Sequence, residues 1–265
     1  MNDSEIITSR DNAKLKLARS VRDGREAGLI FIEGIRLAFE ALRSHLPIAT
    51  ALVSAEFAAD TRYGELAVLL DRTRVEPLLV AEKAFASIAD TESTQGIVLL
   101  GEMPAASLDM IGSDRGPVVL LHRVNNPSNL GAVVRTAEAS GATGLITTTG
   151  SAGAFSPKAL RASMGSAFRL PVVERISFNE AINWAKQMGL VTTAAEVSGS
   201  LSYSEIDWEP RRLIAFGSEA HGFDRNELSA IDQTISIPLE NEVESLNLAV
   251  SVGIILFEAK RRREK

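Results

Sequence analysis

The sequence predicts an α/β protein built in two parts. Short aliphatic and β-branched runs alternate with helical periodicity along the whole chain. A stretch rich in Gly, Pro, Ser and charge, "GEMPAASLDMIGSDRGP", breaks that alternation over 101–117. The length of 265 residues, 45% of them hydrophobic, suffices for one large or two modest cores. The expected division is a small α/β unit over 1–101, a linker over 102–116 and a second unit over 117–265.

In the first unit, "NAKLKLARSVRDG" places Leu15, Ala18 and Val21 at helical spacing and stops at Gly24. "LIFIEG" reads as a buried strand and 35–42 as the helix after it. The alternation continues through "IATALVS", "YGELAVLLDR" and "EPLLVAEKAFASIA" to the strand-like "GIVLL". The second unit opens on the buried strand "VVLLH", followed by turn chemistry and a helix in "NNPSNLGAVVRTAEASG", closed by Gly141. Strands are expected at "GLITTT", "LVTTAA", "RLIAFG" and "TISIP", and helices at "PKALRASM", "NEAINWAKQM" and "NLAVSVGIILFEAKRRR". This order argues for a mostly parallel sheet covered on both faces.

Composition excludes several classes. No stretch reaches the roughly 20 apolar residues that span a bilayer, and "MNDSEIITSRD" lacks the basic and apolar regions of a secretory signal. A cytoplasmic setting follows as the default. Zero cysteines remove disulfides, thiolate zinc sites and Cys nucleophiles, and His45, His122 and His221 are too scattered for a zinc finger, so no metal is expected. A net charge of −6 argues against indiscriminate coating of nucleic acid. Yet Arg10 to Arg43 holds eight Lys or Arg against five acids, and the chain ends in "KRRREK". Either run reads as a solvated helix face or as the footprint of a polyanionic partner.

Three segments share one form, a buried strand running into a Gly/Asn/Pro turn with a charged or amide side chain: "HRVNNPSNLGAVVRT", "FGSEAHGF" and "IPLENEVESLNLAV". Loops at the carboxyl ends of strands meet at the ligand crevice of an open α/β sheet, so the three form a candidate site. Each also has a plainer reading. Asn129 suits a helix cap, Arg135 a surface pair with Glu138 at i+3, Glu219 an exposed loop carboxylate, and Ser245 and Asn247 the cap of the last helix. The GxxxxGK[ST], GxGxxG and GxSxG signatures are missing, which disfavours a kinase, an ordinary dehydrogenase or a serine hydrolase.

In order along the chain stand Asn129-x-Gly131 with Arg135, then Gly217-x-Glu219-x-x-Gly222, then Ile237-Pro238 followed by Ser245-Leu246-Asn247. This combination resembles the SpoU (TrmH-like) branch of the SPOUT RNA methyltransferases. "ITSRDNAKLKLARSV" and "FIEGIRLAFEAL" are similar to the substrate-binding domain many members carry. The chain departs from the family at Asn241, where Gly is usual; Asn tolerates a left-handed backbone better than most residues.

The resemblance implies methyl transfer from S-adenosylmethionine (AdoMet) to a ribose 2′-hydroxyl of RNA, with 1–101 as the RNA substrate-binding domain and 117–265 as the SPOUT methyltransferase domain. It implies a deep trefoil knot in that domain and a cofactor held mainly by main chain at Gly217, Ile237, Leu246 and, by a weaker match, Ala195. Arg135, Asn129, Glu219, Ser245 and Asn247 become the catalytic candidates. The family arginine has been proposed to deprotonate the 2′-hydroxyl; at a pKa of roughly 12 or above, phosphate orientation and alkoxide stabilisation demand less of it. Asn129 would orient that arginine or the ribose, and Glu219 would hold loop geometry or accept a hydrogen bond. Members form homodimers in which the arginine often reaches across the interface. Arg10, Lys14 and Arg36 are candidates for RNA phosphate contacts. Ribosomal RNA is favoured over transfer RNA by analogy with relatives carrying a fused N-terminal domain; the alternatives are a tRNA 2′-O-methyltransferase, a non-catalytic RNA-binding relative or, from another class, a nicotinamide-dependent oxidoreductase.

Overall fold

The computed structural model describes residues 6–112, 115–219 and 222–264. The first five residues of the chain, 113–114 of the expected linker, Ala220 and His221 of the second motif, and Lys265 lie outside the described residues. The chain divides into two compact units. One is 1–105 together with 155–168, and the other is 106–154 together with 169–265.

The first unit begins with α1 (Ala13–Arg22), whose N-cap Asn12 accepts the Lys14 N–H at 2.8 Å and whose Leu15, Ala18 and Val21 are buried. Then follow β1 (Leu29–Glu33), α2 (Ile35–Arg43), β2 (Ile48–Ser54), α3 (Ala55–Ala58), α4 (Tyr63–Arg72), β3 (Pro77–Val80), α5 (Glu82–Phe85) and β4 (Ile97–Glu102). The strands form one sheet in the order β1-β4-β2-β3, with β4 antiparallel to both neighbours and β2 parallel to β3. Leu15, Phe31, Leu52, Phe85 and Leu100 centre its core.

The second unit carries β5 (Val118–His122), α6 (Pro127–Ser140) and β6 (Gly144–Thr148). The chain then contributes α7 (Pro157–Ser163) to the first unit and returns with β7 (Val172–Ile176), α8 (Phe178–Gln187), β8 (Val191–Ala195), β9 (Leu201–Ser202), β10 (Arg212–Gly217), α9 (Arg225–Ser229), β11 (Gln233–Ser236) and α10 (Leu248–Arg263). The seven strands are ordered β7-β6-β5-β10-β8-β11-β9 and every pairing is parallel. The central strands are buried along nearly their whole length, as a sheet covered on both faces requires. Within the stretch read as linker, Ile111 is buried and packs against Gly144, a place opened by that residue's missing side chain.

Two elements carry no strong sequence signal. In β7 the burial fades along the strand and Glu174 and Arg175 break the apolar run, while β9 is two residues long. The basic chain end is engaged locally. Arg261 and Arg262 both bind Glu258, whose carboxyl they pull down to about 2, Arg262 donates to the Ser204 carbonyl at 2.8 Å, and Arg263 donates to the Ser140 carbonyl at 3.1 Å. These are helix C-terminal cations meeting carbonyls and a carboxylate. No helix among the described residues is long and apolar enough to cross a membrane.

Candidate active site

The site sits where β8, β10 and β11 end and α10 begins, at the carboxyl edge of the parallel sheet where backbone groups lose their ladder partners. β10 runs out at Gly217, and the chain doubles back so that the Gly222 N–H donates to the Ser218 carbonyl at 2.9 Å. A Cβ on Gly217 would stand 2.8 Å from the Gly222 carbonyl carbon, so no other residue fits the first position. Gly222 itself has φ +57°. The G-x-E-x-x-G spacing is thus the signature of a loop folded back on its own strand, with Glu219 at its turn.

After β11 the chain passes Ile237 and turns through two left-handed residues, Asn241 at φ 56° and Glu242 at φ 58°. The turn expected at Asn241 therefore forms with Asn in the backbone region that Gly usually supplies. Asn247 then caps α10, its Oδ1 accepting the Ala249 N–H at 2.9 Å.

These segments enclose a cavity of about 290 Å³. Gly217, Ile237, Leu246 and Ala195, the four residues expected to meet the cofactor, all line it, together with Glu196, Glu219 and Ser245. The first motif meets the second at its edge. Asn129 Nδ2 donates to Glu219 Oε1 at 2.8 Å, and the same oxygen accepts the Leu248 N–H at 3.4 Å. One carboxylate atom therefore links α6, the loop after β10 and the start of α10.

The plainer readings divide. Asn126, not Asn129, caps α6, accepting the Ser128 N–H at 2.9 Å. Glu138 is taken by Arg169, whose Nε lies 2.6 Å away, so it does not pair with Arg135. Asn247 is a true cap, whereas Ser245 is exposed and makes no hydrogen bond among the described residues. Arg135 is exposed, without a hydrogen bond or ion pair among the described residues. It lies six positions after Asn129 on one helix, so the two side chains leave the axis about 120° apart and about 9 Å along it. A single chain gathers Asn129, Glu219, Asn247 and the cavity, and leaves Arg135 on another face. In the first unit Arg10, Lys14 and Arg36 are exposed. Arg10 donates through Nε to the Lys83 carbonyl at 3.3 Å, while the Lys14 and Arg36 side chains make no hydrogen bond or ion pair among the described residues.

Two features escape sequence reasoning. Glu196, next to Ala195, is a half-buried carboxylate on the cavity wall; burial raises its pKa, and the nearby Phe223 N–H only partly opposes that. At the end of β5, Arg123 has φ 54° and holds Glu227 of α9 through Nη2 at 2.6 and 2.7 Å, while its Nε donates to His122 Nε2 at 2.5 Å. The adjacent His-Arg pair in "LLHRV" is visible in the sequence, but its partner lies about a hundred residues away.

Comparison with known proteins bears on the same residues. The SpoU rRNA Methylase family profile matches 116–257, and that of the MRM3-like substrate binding domain matches 12–99. The chain is 29% identical to the 23S rRNA (guanosine(2553)-2′-O)-methyltransferase RlmP of Bacillus subtilis, over 96% of this chain and 98% of that protein. It is 30% identical to the 23S rRNA (uridine(2479)-2′-O)-methyltransferase of Streptomyces viridochromogenes, over 97% and 92%. Among solved structures, the SpoU methyltransferase AviRb from Streptomyces viridochromogenes in complex with AdoMet superposes with a TM-score of 0.85 at 29% identity, covering 96% of this chain and 99% of that one. An AdoMet-bound rRNA methyltransferase from Sinorhizobium meliloti gives the same TM-score and identity over 97% of each chain. The match spans more than half of the residues and contains all three converging loops, and on that ground the chain belongs to the SpoU rRNA methylase family.

Proposed function

We propose that this protein is an AdoMet-dependent RNA 2′-O-ribose methyltransferase acting on ribosomal RNA in the cytoplasm. The observation that carries the reading is the junction of Asn129, Glu219 and the Leu248 N–H at the rim of the cavity. The lining suits such a cofactor: aliphatic Ile237, Leu246, Leu248 and Ile255, strand-end backbone groups, and two carboxylates with no Lys or Arg among the described lining residues. A cationic nucleoside meets apolar walls and negative charge there. When bound, AdoMet supplies an electrophilic methyl on a sulfonium.

The chain's own residues then align and polarise. Gly217, Ile237, Leu246 and Ala195 hold the cofactor through main chain, and the Asn247 cap and the left-handed turn at Asn241 keep those loops in shape. Asn129, fixed by Glu219, presents its remaining polar atoms to the ribose or to the arginine. Arg135 grips phosphate as a planar fork and stabilises the developing alkoxide. Because Arg135 is exposed and does not line its own chain's cavity, the reading includes a homodimer in which each active site takes Arg135 from the partner. The exposed Val250 and Phe257 of α10, two turns apart on one face, provide apolar surface for that pairing. The expected substrate-binding domain, residues 1–101, would bind RNA through Arg10, Lys14 and Arg36. The trefoil knot expected of the 117–265 domain would involve the segment from β10 to α10, where β10 inserts between β5 and β8.

The test is direct. Protein, methyl-labelled AdoMet and ribosomal RNA from cells lacking the protein are incubated and the labelled ribose is mapped. Label at a defined 2′-oxygen, abolished in Arg135→Ala, is expected; label only in transfer RNA, or none despite cofactor binding, would reject the reading.

A further inference from the structure

Glu196 and Glu219 are the ionisable side chains among the described residues that line the cavity. Glu219 is engaged by Asn129 and the Leu248 N–H. Glu196 is outside that junction. Its backbone is fixed at the end of β8, where its N–H donates to the Ile235 carbonyl at 2.9 Å. Its side chain is directed toward Gly222, where a Cβ would stand 3.4 Å from Oε1. Among the described residues, the donor beside the carboxylate is the Phe223 N–H. A carboxylate has about four acceptor sites, so this one, half-buried in the wall of an open cavity, keeps acceptor capacity that solvent serves in the free protein and that a ligand's donors can take over.

The sheet order decides which part of a ligand it meets. In β5-β10-β8-β11, the Asn129–Glu219 pair belongs to the segments that follow β5 and β10, and Glu196 ends the next strand out, β8, adjacent strands being about 4.8 Å apart. The transferring methyl belongs beside the catalytic pair, and the sugar of the nucleoside half falls to the outer strand.

We propose that Glu196 binds the ribose diol of the methyl donor, its carboxylate oxygens accepting from the 2′- and 3′-hydroxyls. This inference rests on the methyltransferase reading above. An acidic residue at a strand end takes a ribose hydroxyl in the same way in dinucleotide-binding sheets, and bonds to an ionised acceptor are the strong ones.

Isothermal titration of wild-type protein, Glu196→Gln and Glu196→Ala with S-adenosylhomocysteine and with 5′-methylthioadenosine tests it. The second ligand keeps the diol and lacks the amino-acid chain. Both variants should weaken both ligands by a common factor, about tenfold for Gln and more for Ala, with the Glu196→Gln unfolding midpoint no lower than wild type. Weakening confined to S-adenosylhomocysteine would assign the carboxylate to the ammonium group and overturn the proposal. Unchanged affinity for both ligands, or a lowered midpoint marking a structural role, would overturn it too. Wild-type protein binding neither ligand would defeat the methyltransferase reading as well, which separates the two failures.

Discussion

Asn129 Nδ2 and Glu219 Oε1, 90 positions apart in the chain, meet at 2.8 Å, and that single contact aligns α6 with the loop after β10. Both residues stand at a partly solvated rim, so the bond contributes little to folding, on the order of 1 kcal/mol. Its worth is positional, because small misplacements of reacting groups cost rate steeply. Asn129→Ala and Glu219→Ala should each lower kcat/KM on the order of 100-fold. The double variant should lose no more than the worse single one, since both remove one coupled unit. Steady-state kinetics of the four proteins measures the coupling; independent, multiplying losses would show that the pair does not act together.

Asn247 holds a cap and a place beside the cavity at once. Its Oδ1 satisfies the Ala249 N–H, so Asn247→Ala should cost about 1 kcal/mol in urea unfolding. The activity loss should be far larger, on the order of 100-fold. Asn247→Asp keeps an acceptor for the cap and separates the two effects: near wild-type stability with impaired activity is expected. Parallel recovery of both in Asn247→Asp would leave capping as the residue's only role.

The direction in which Arg135 leaves α6 gives the dimer reading a sharp test. If each site draws Arg135 from the partner, mixing inactive Arg135→Ala with inactive Asn247→Ala regenerates one intact site in every mixed dimer. About one quarter of wild-type activity should return on refolding an equal mixture. Co-refolding followed by a methyl-transfer assay measures it. No recovery, with mixed dimers present by mass, would put Arg135 and Asn247 to work within one chain.

Much of this was legible before any coordinates. The parallel sheet follows from buried strands alternating with helices, and the part of the cavity wall after β10 and β11 from the Gly- and Asn-bearing turns there, whereas the end of β8 carries no such signal. The family resemblance points to Gly217, Ile237, Leu246 and Ala195, all four of which line the cavity, and the loops there need special residues: Gly217 for a backbone approach that a Cβ would block, and Asn241 for a left-handed φ. What stayed hidden depends on side chains meeting across the fold. Glu196 looks like any strand-end acid until β8 is seen beside β10 and β11, and the partner of Arg123 is set by tertiary packing. The β7 strand carries little sequence signal because Glu174 and Arg175 break its apolar run.

Burial raises the Glu196 carboxyl above its ordinary 4.5, so the folded chain holds that proton longer than the unfolded chain does. The sign follows: the contribution to stability is most favourable below the unfolded value and is lost as pH rises through the folded one. At neutral pH the ionised group therefore burdens the cofactor-free fold. Glu196→Gln should unfold at a higher temperature than wild type near pH 7, and the difference should vanish near pH 4. Scanning calorimetry of cofactor-free protein checks it, and a stabilised variant with weakened ligand binding marks a group kept for function rather than for folding.

His122 governs the opposite end of the pH range through the same linkage. Its ring is buried against Phe178, edge-on at 4.9 Å between centroids, and stacked on Phe223 at 5.6 Å. That burial pushes its pKa down, outweighing the upward pull of Glu227 and joined by the nearby Arg123 guanidinium; Asp224 adds a smaller upward pull. Its Nδ1 lies 3.1 Å from Thr148 Oγ1, and its Nε2 lies 2.5 Å from Arg123 Nε and 3.0 Å from Glu227 Oε1. The unfolded chain protonates first as pH falls, so stability present above about 6.5 is lost between that value and the lower folded pKa. His122→Phe retains the ring packing and removes the titration, and its stability should change less between pH 7 and pH 5 than that of wild type. The consequence reaches the site, because His122 pairs with Gly217 across β5 and β10, and Phe223 follows Gly222. Two acid effects on activity are therefore expected, and they separate. Protonation of Glu196 weakens cofactor binding and raises KM, an effect absent in Glu196→Gln, whereas protonation of His122 loosens the strand end that shapes the cavity, an effect absent in His122→Phe. If the acid loss of activity persisted unchanged in the variant lacking both groups, neither would set the lower pH limit of the enzyme.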